Sequence, residues 1–292
     1  MIYDVRQTTT CAYASPVAHA RHVLRLTPIH RDGQRVHVSA LQIVPEPLHR
    51  REGQDFFGNR LTWIEIEEPH KTLTVKLAAR VTVYAAVEPP PLTTPAWEAV
   101  REEAFATTDI GPLSPAHFLF RSRMVSLDPE IRDYTRASFS AGRPVLDAAV
   151  ELMNRLKTDI AYEIGATTVT TTPPMSFALR RGVCQDFAHI MISGLRGIGL
   201  PAAYVSGYLR SAPRDDATRL QGADAMHAWV LVWCGSQAGW IGLDPTNAIV
   251  ASDEHVVLAV GRDYTDVAPM DGVIFGSGGQ HIDVAVSVTP AG

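Results

Sequence analysis

The stretch from residue 73 to 87 limits the fold more than any other part of the chain. Apolar residues take every second position (Leu73, Val75, Leu77, Ala79, Val81, Val83, Ala85 and Val87), and Thr72, Thr74, Lys76, Arg80 and Thr82 fill most of the places between. Successive strand side chains point to opposite faces, so this period of two predicts a long antiparallel strand with one buried face. Runs at residues 1–9, 22–27, 36–44 and 61–67, separated by Gly, Pro and Asn, read as further strands. Strands in series, each with one apolar face, bury those faces against one another, which predicts a β-sandwich or small β-domain over residues 1–90.

Glu88-Pro89-Pro90-Pro91 ends that pattern, and helical signals take over. Thr94 before Pro95 reads as an N-cap with proline at the first helical position, opening a helix through Glu103. Asp128-Pro129 repeats the device. From Pro144 a stronger helix carries Val145, Ala149, Leu152 and Leu156 along one stripe. The expected organisation is an amino-terminal β-domain (1–90), a helical connector (91–143) and a core (144–292). Thr167 to Thr172 reads as a loop or edge strand, and no internal repeat is visible.

Composition excludes several function classes. With 46% hydrophobic and 20% charged residues and a net charge of −5, the chain has neither a disordered composition nor a basic nucleic-acid footprint. No apolar run approaches a membrane span, and Met1 to Arg6 shows no secretory h-region. Cys11, Cys184 and Cys234 are odd in number and widely separated, which argues against a disulfide framework and for a reducing cytoplasm.

Chemistry concentrates around Arg181-Gly182-Val183-Cys184-Gln185-Asp186-Phe187-Ala188-His189. Phe187, Ile190, Met191, Leu195 and Ile198 recur at helical spacing until Gly199-Leu200-Pro201, so Cys184 is expected in the first turn of a buried helix. There a thiol meets free backbone N–H groups and the positive end of the helix dipole, which favour the nucleophilic thiolate. The alternative for a lone cysteine is a small core hydrophobe.

A partner is available downstream. The run Ala225 to Trp233 carries His227 near its start, and Gly239 to Thr246 carries Asp244. A hairpin with a four-residue loop at 234–237 would set Trp233 against Ala238, Leu231 against Trp240, Trp229 against Gly242 and His227 against Asp244. Opposed residues on one face have Cβ atoms about 4.5–5.5 Å apart, so an imidazole would stand beside a carboxylate. Such a carboxylate fixes the tautomer and leaves the second ring nitrogen for the thiol.

With these residues in place the chain resembles the bacterial transglutaminase-like family, a branch of the papain-like thiol enzymes. The resemblance rests on Gly182 to His189, Ala203 to Leu209, Ala225 to Trp229, Gly242 to Asn247 and Gly261 to Pro269. Further matches to the family's β-domain lie at Tyr13 to Val17, Leu24 to Pro28 and Asp55 to Asn59. It implies an α+β fold, in which a β-sandwich-like domain precedes a papain-like transglutaminase core with the cysteine helix packed on an antiparallel sheet. It also places the family's thiol, imidazole and carboxylate on Cys184, His227 and Asp244, agreeing with the spacing argument. Tyr162 is the candidate for the aromatic oxyanion donor of the crosslinking members.

Weaker substrate-contact candidates are Asp186, His189, Tyr208, Asp224, Arg262 and Tyr264. Asp186 is expected mainly as a helix-start acid that could pair with His189, and residues 261–272 mainly as a hydrogen-bonded turn. His19, His22, His30 and His37 match no tight zinc motif, so neither metal nor cofactor is expected. Cys234, in the inferred loop, is a poor nucleophile candidate. The expected activity is cysteine-dependent amide hydrolysis on a peptide or protein, with no nucleic-acid or membrane partner and self-association left open. The alternatives are transglutaminase-type transfer to an amine and a non-catalytic peptide-binding module.

Overall fold

The computed structural model describes residues 1–84, 94–211 and 226–291. Strands β1 (Ile2–Val17), β2 (His19–Leu24), β3 (Gln34–Val44), β4 (His49–Gln54), β5 (Arg60–Ile66) and β6 (His70–Val83) come first. Helices α1 (Trp97–Ala106), α2 (Pro129–Arg136) and α3 (Val145–Asp159) follow, then β7 (Ala161–Tyr162), α4 (Pro173–Leu179), β8 (Arg181–Gly182) and α5 (Cys184–Gly197). The chain continues through β9 (Ala202–Leu209), β10 (His227–Trp233), β11 (Trp240–Asp244), β12 (Ile249–Val250) and β13 (His255–Gly261). It ends with α6 (Tyr264–Val267), β14 (Met270–Phe275) and β15 (Gln280–Pro290).

The fold is α+β. The predicted alternating strand is β6, whose Leu73, Val75, Leu77, Ala79, Val81 and Val83 are all buried while Lys76 and Arg80 face water. Ala85, Val87 and the Pro-rich boundary near residue 90 lie outside the described residues. β6 is central in a sheet of order β15-β1-β6-β3, and a second sheet runs β14-β2-β5-β4. Cys11, Leu73 and Val75 of the first pack against Ala20, Leu24, Ile64 and Ile66 of the second, so the two form a sandwich. Each large aliphatic side chain buried this way contributes about 1.5–3 kcal/mol. The short β4, with no apolar side chain, escapes a hydrophobicity reading because it is held to β5 by backbone pairing and by polar contacts, Arg51 over Trp63 and Glu52 with Arg60.

The last strands correct the expected core of 144–292: β14 pairs with β2 and β15 with β1, so residues 270–290 complete the amino-terminal sheets. Sequence order hides this because antiparallel edges accept strands from any distance.

The core sheet has the order β12-β11-β10-β9-β13, and α5 packs on it, buried without a break from Gln185 to Arg196. The helix reaches its neighbours closely at Gly194, where a Cβ would stand 2.0 Å from Thr135 Oγ1 of α2. Two helix starts tested the capping argument. Asp128 accepts from Glu130 and Ile131 N–H, as Asp-Pro predicts. Thr94 does not cap α1, which begins at Trp97 without a side-chain cap; its hydroxyl instead accepts Leu146 N–H at 3.1 Å and ties the connector to α3.

The two domains are joined at the edge of the core sheet. Among the described residues no strand pairs with the outer edge of β13, and two buried amides of the β-domain occupy it. Gln34 donates to Val257 O (2.8 Å) and accepts Val257 N–H (2.7 Å), while Asn59 does the same with Val260 (2.8 Å each). Each amide thus imitates a paired strand residue and satisfies backbone groups that would otherwise be buried alone.

Candidate active site

Cys184 is the first residue of α5, with Val183 at the N-cap. Cys184 and Gln185 N–H therefore have no helical carbonyl before them and point out of the helix start. The entry is built by Asp186, whose Oδ2 accepts Val183 N–H (2.8 Å) and the Thr167 hydroxyl (2.6 Å). A Cβ on residue 182 would stand 2.5 Å from that oxygen, so glycine is required for the carboxylate to sit there. Burial raises the Asp186 pKa, with these hydrogen bonds opposing. Gln185 Nε2 donates to Val169 O and pins the threonine-rich segment, a loop, beside the thiol.

His227 opens β10 and Asp244 closes β11. His227 Nε2 lies 2.9 Å from Asp244 Oδ2, and both side chains are fully buried. The register that delivers this contact differs from the expected one. Trp233 pairs with Trp240 and Leu231 with Gly242, so the strands are shifted by two residues and the loop spans 234–239. Cys234 N–H bonds Gly239 O and Gly239 N–H bonds Gly235 O, with both glycines at positive φ, which closes the longer turn. A shift of two preserves the face of every side chain, and diagonal neighbours remain within reach of long side chains. The contact survives; the direct opposition does not.

Asp244 is held on all sides. Its Oδ1 accepts Thr246 N–H (3.0 Å) and Asn247 N–H (3.2 Å), and its Oδ2 accepts Asn247 Nδ2 (2.8 Å) as well as His227. A second histidine, His255, reaches the same Oδ2 at 3.4 Å. His255 Nδ1 accepts Ser252 N–H, so its proton sits on Nε2 and is donated to Asp244. Burial raises the Asp244 pKa, but the two imidazoles outweigh it and the carboxyl titrates well below its ordinary range. Burial works against a charged His227, yet Asp244 and the Cys184 thiol beyond it raise the ring's pKa above the usual value. His227 Nδ1 is buried and has no hydrogen-bond partner at full geometry, while the Cys184 thiol still acts on the ring. Trp229 stacks on His227 with centroids 6.2 Å apart.

Tyr162, on β7 opposite Gly182, is half-buried; burial first and the Cys184 thiol second push its hydroxyl up to about 12. Tyr204 is fully buried, feels the same thiol, and links through its ring to His189 (5.0 Å) and Tyr264 (6.5 Å). Asp186 and His189 do not pair: His189 Nε2 accepts Tyr264 N–H at 3.2 Å, and burial lowers its pKa to about 4 against the pull of Asp263. Arg262 forms an exposed ion pair with Asp266, in a segment that is a turn of helix capped by Asp263 rather than an open loop. Tyr208 is no substrate contact. It is fully buried against the β-domain, where its hydroxyl donates to Gln7. Asp224 lies outside the described residues. Of the three cysteines Cys184 alone is not buried; burial raises Cys11, and Cys234 to about 12.

Comparison with known proteins fits this arrangement. Residues 3–82 match the bacterial transglutaminase-like N-terminal region, and residues 132–245 match the transglutaminase-like superfamily. An uncharacterized protein of Mycobacterium tuberculosis is 37% identical over 297 aligned residues, covering 99% of this chain and 92% of the relative. The chain belongs to the bacterial transglutaminase-like family. A protein-glutamine gamma-glutamyltransferase of Pseudomonas aeruginosa is 29% identical over 146 residues, which is 48% of this chain and 22% of that protein. Among solved structures, a candidate cysteine protease from Cytophaga hutchinsonii superposes with a TM-score of 0.71 at 22% identity, covering 98% of this chain and 90% of that one. The family assignment supports a thiol-dependent enzyme.

Within this bacterial transglutaminase-like site, sequence reasoning missed His255 and Tyr204. His255 had a signal of the same kind as His227, a histidine opening an apolar strand run (Val256 to Val260). Tyr204 lies in a stretch that carries the family resemblance, but a tyrosine inside a strand reads as core and its residue type gives no sign of a site role. Among the described residues one cluster, His19, Glu65 and Glu67, has spacing suited to a metal ion. It lies where β2 and β5 pair, and Glu65 is already paired with His19 and Arg21. No described helix is long and apolar enough to cross a membrane.

Proposed function

We propose that the protein is a cysteine-dependent amide hydrolase acting on peptides or proteins, with Cys184 as nucleophile, His227 as base and Asp244 as the group that orients the base. The observation that carries this reading is the buried His227 Nε2–Asp244 Oδ2 contact of 2.9 Å, which leaves Nδ1 for the thiol at the head of α5. The Cys184 S–H proton passes to His227 Nδ1 as sulfur attacks the amide carbonyl and the C–S bond forms. His227 then returns that proton to the departing amine as the C–N bond breaks, leaving a thioester. Water, deprotonated by His227, attacks the thioester; the C–S bond breaks and the thiol is restored. Cys184 and Gln185 N–H are suited to receive the oxyanion, and Tyr162 is the candidate third donor. Two buried cysteines and one accessible one, all free, support a reducing cytoplasmic setting.

A second reading, transfer of the acyl group to an amine, is favoured by the likeness to the Pseudomonas gamma-glutamyltransferase. Mass spectrometry of a glutamine peptide incubated with the protein, with and without an amine donor, separates the two. Cleavage or a gain of one mass unit supports hydrolysis, and a covalent amine adduct overturns it. A binding module without catalysis predicts neither product and a Cys184 that iodoacetamide alkylates at pH 6 no faster than a free thiol.

A further inference from the structure

The face of the core sheet turned away from α5 is packed only in part, by Ile29, Phe57 and Phe118. Ala228, Val230 and Val232 of β10 pack under the helix, while Trp229 and Leu231 point to the opposite side. There a cavity of about 700 Å³ opens between the sheet and the β-domain. This is the size range of sites that take small molecules. Its walls are apolar and aromatic: Trp229, Leu231, Trp240 and Val257 form the floor, and Tyr84 and Val250 stand at the exposed rim. Cys184 is not part of the lining, so this is not the acyl site seen from behind.

The polar groups in the lining can be eliminated in turn. The Gln34 amide is consumed by Ile29 O and by Val257 N–H and O. Both nitrogens of His255 are engaged, by Ser252 N–H and Asp244. Trp240 Nε1 donates to Leu113 O. Asp32 is exposed. Arg31 differs: half-buried in the β2–β3 loop, it forms no side-chain hydrogen bond among the described residues, although it feels the charge of its neighbour Asp32. A guanidinium whose donors make no hydrogen bond, beside an aromatic cavity, is suited to a planar anion, which it can hold through two parallel hydrogen bonds.

We propose that this cavity is a second ligand site, separate from Cys184, for a small molecule with an apolar or aromatic body and a carboxylate that pairs with Arg31. Its occupant would rest against Trp229 and His255, the two side chains that touch His227 and Asp244 from behind. Binding does not depend on Cys184 being a nucleophile, so the proposal can fail or stand apart from the hydrolase reading.

The test uses the full chain and 4-phenylbutyrate, with 4-phenylbutanamide as the uncharged isostere, followed by calorimetry and by tryptophan fluorescence. The acid is expected to bind one to one and to quench the fluorescence, and the amide to bind at least about tenfold more weakly, the ratio that one charge-assisted hydrogen bond supports. Arg31→Gln should bring the acid down to the amide's affinity and leave the amide unchanged. Val250→Trp, at an exposed rim position, should abolish binding of both, and Cys184→Ala should alter neither. Equal affinity of acid and amide, acid binding that survives Arg31→Gln, binding that survives Val250→Trp, or no saturable binding would each overturn the proposal.

Discussion

Replacing Asp244 by Asn tests the central geometry most directly. The carboxylate serves two backbone N–H groups at Oδ1 and three side-chain donors (His227, His255 and Asn247) at Oδ2. Asparagine offers one acceptor and one NH2 in the same space. If its oxygen keeps the backbone donors, the NH2 faces His227 Nε2, and the ring must turn its lone pair to that side. The proton then sits on Nδ1, toward the sulfur, where the thiol's own proton has to go. His255 cannot compensate, because its Nδ1 already accepts Ser252 N–H. The wrong tautomer in a hydrogen-bonded triad costs about 10³- to 10⁴-fold in rate, or about 4–5.5 kcal/mol of barrier. The same change removes the charge that raises the His227 pKa against burial, so ring basicity falls as well. The assay is the burst of p-nitrophenol released when p-nitrophenyl acetate acylates Cys184, with circular dichroism to show that the variant is folded. A folded variant that acylates within about threefold of the parent would refute the tautomer argument.

Three further outcomes are expected. Iodoacetamide at pH 7 should label Cys184 in the folded protein and leave Cys11 and Cys234 unmodified, since burial holds both thiols protonated; peptide mapping reads this, and labelling of Cys234 at a comparable rate would contradict it. Gln34→Ala should lower stability by about 2–4 kcal/mol, because it strands Val257 N–H and O and Ile29 O at the domain junction; urea unfolding measures it, and a loss under about 0.5 kcal/mol would refute the clasp. His189 has a folded pKa of about 4, below its unfolded value, so its contribution is complete above about pH 6.5 and is lost as pH falls toward 4. Unfolding free energy should therefore drop by up to about 3 kcal/mol more over that range in the parent than in His189→Gln, and parallel pH profiles would exclude the assignment.

Much of this protein was legible in one dimension because the responsible signals are local. The period of two in β6, the Asp-Pro cap of α2 and the thiol at the head of an apolar helical stripe each depend on residues within a few positions of one another. The failures fall where distant backbone decides. Thr94 carried a cap's chemistry, yet α3 offered its hydroxyl a better donor in Leu146 N–H. Tyr208 flanks the active strand in sequence, but the β-domain closes over it. The hairpin register was misplaced by two because turn length depends on two glycines at positive φ, a backbone choice that side-chain pattern does not report.

From sequence alone came the chemical identity of the candidate site: a thiol, an imidazole and a carboxylate, with the parity that keeps the last two on one face. Tertiary structure decided what those groups can do. It brought His255 to the same carboxylate, buried two of the three cysteines, returned the last two strands to the first domain and set the Arg31 guanidinium, without a hydrogen-bond partner among the described residues, beside an open cavity. Residue type and spacing carry reactivity, whereas burial, register and hydrogen-bond partners are set by segments far apart in the chain, and only folding makes them neighbours.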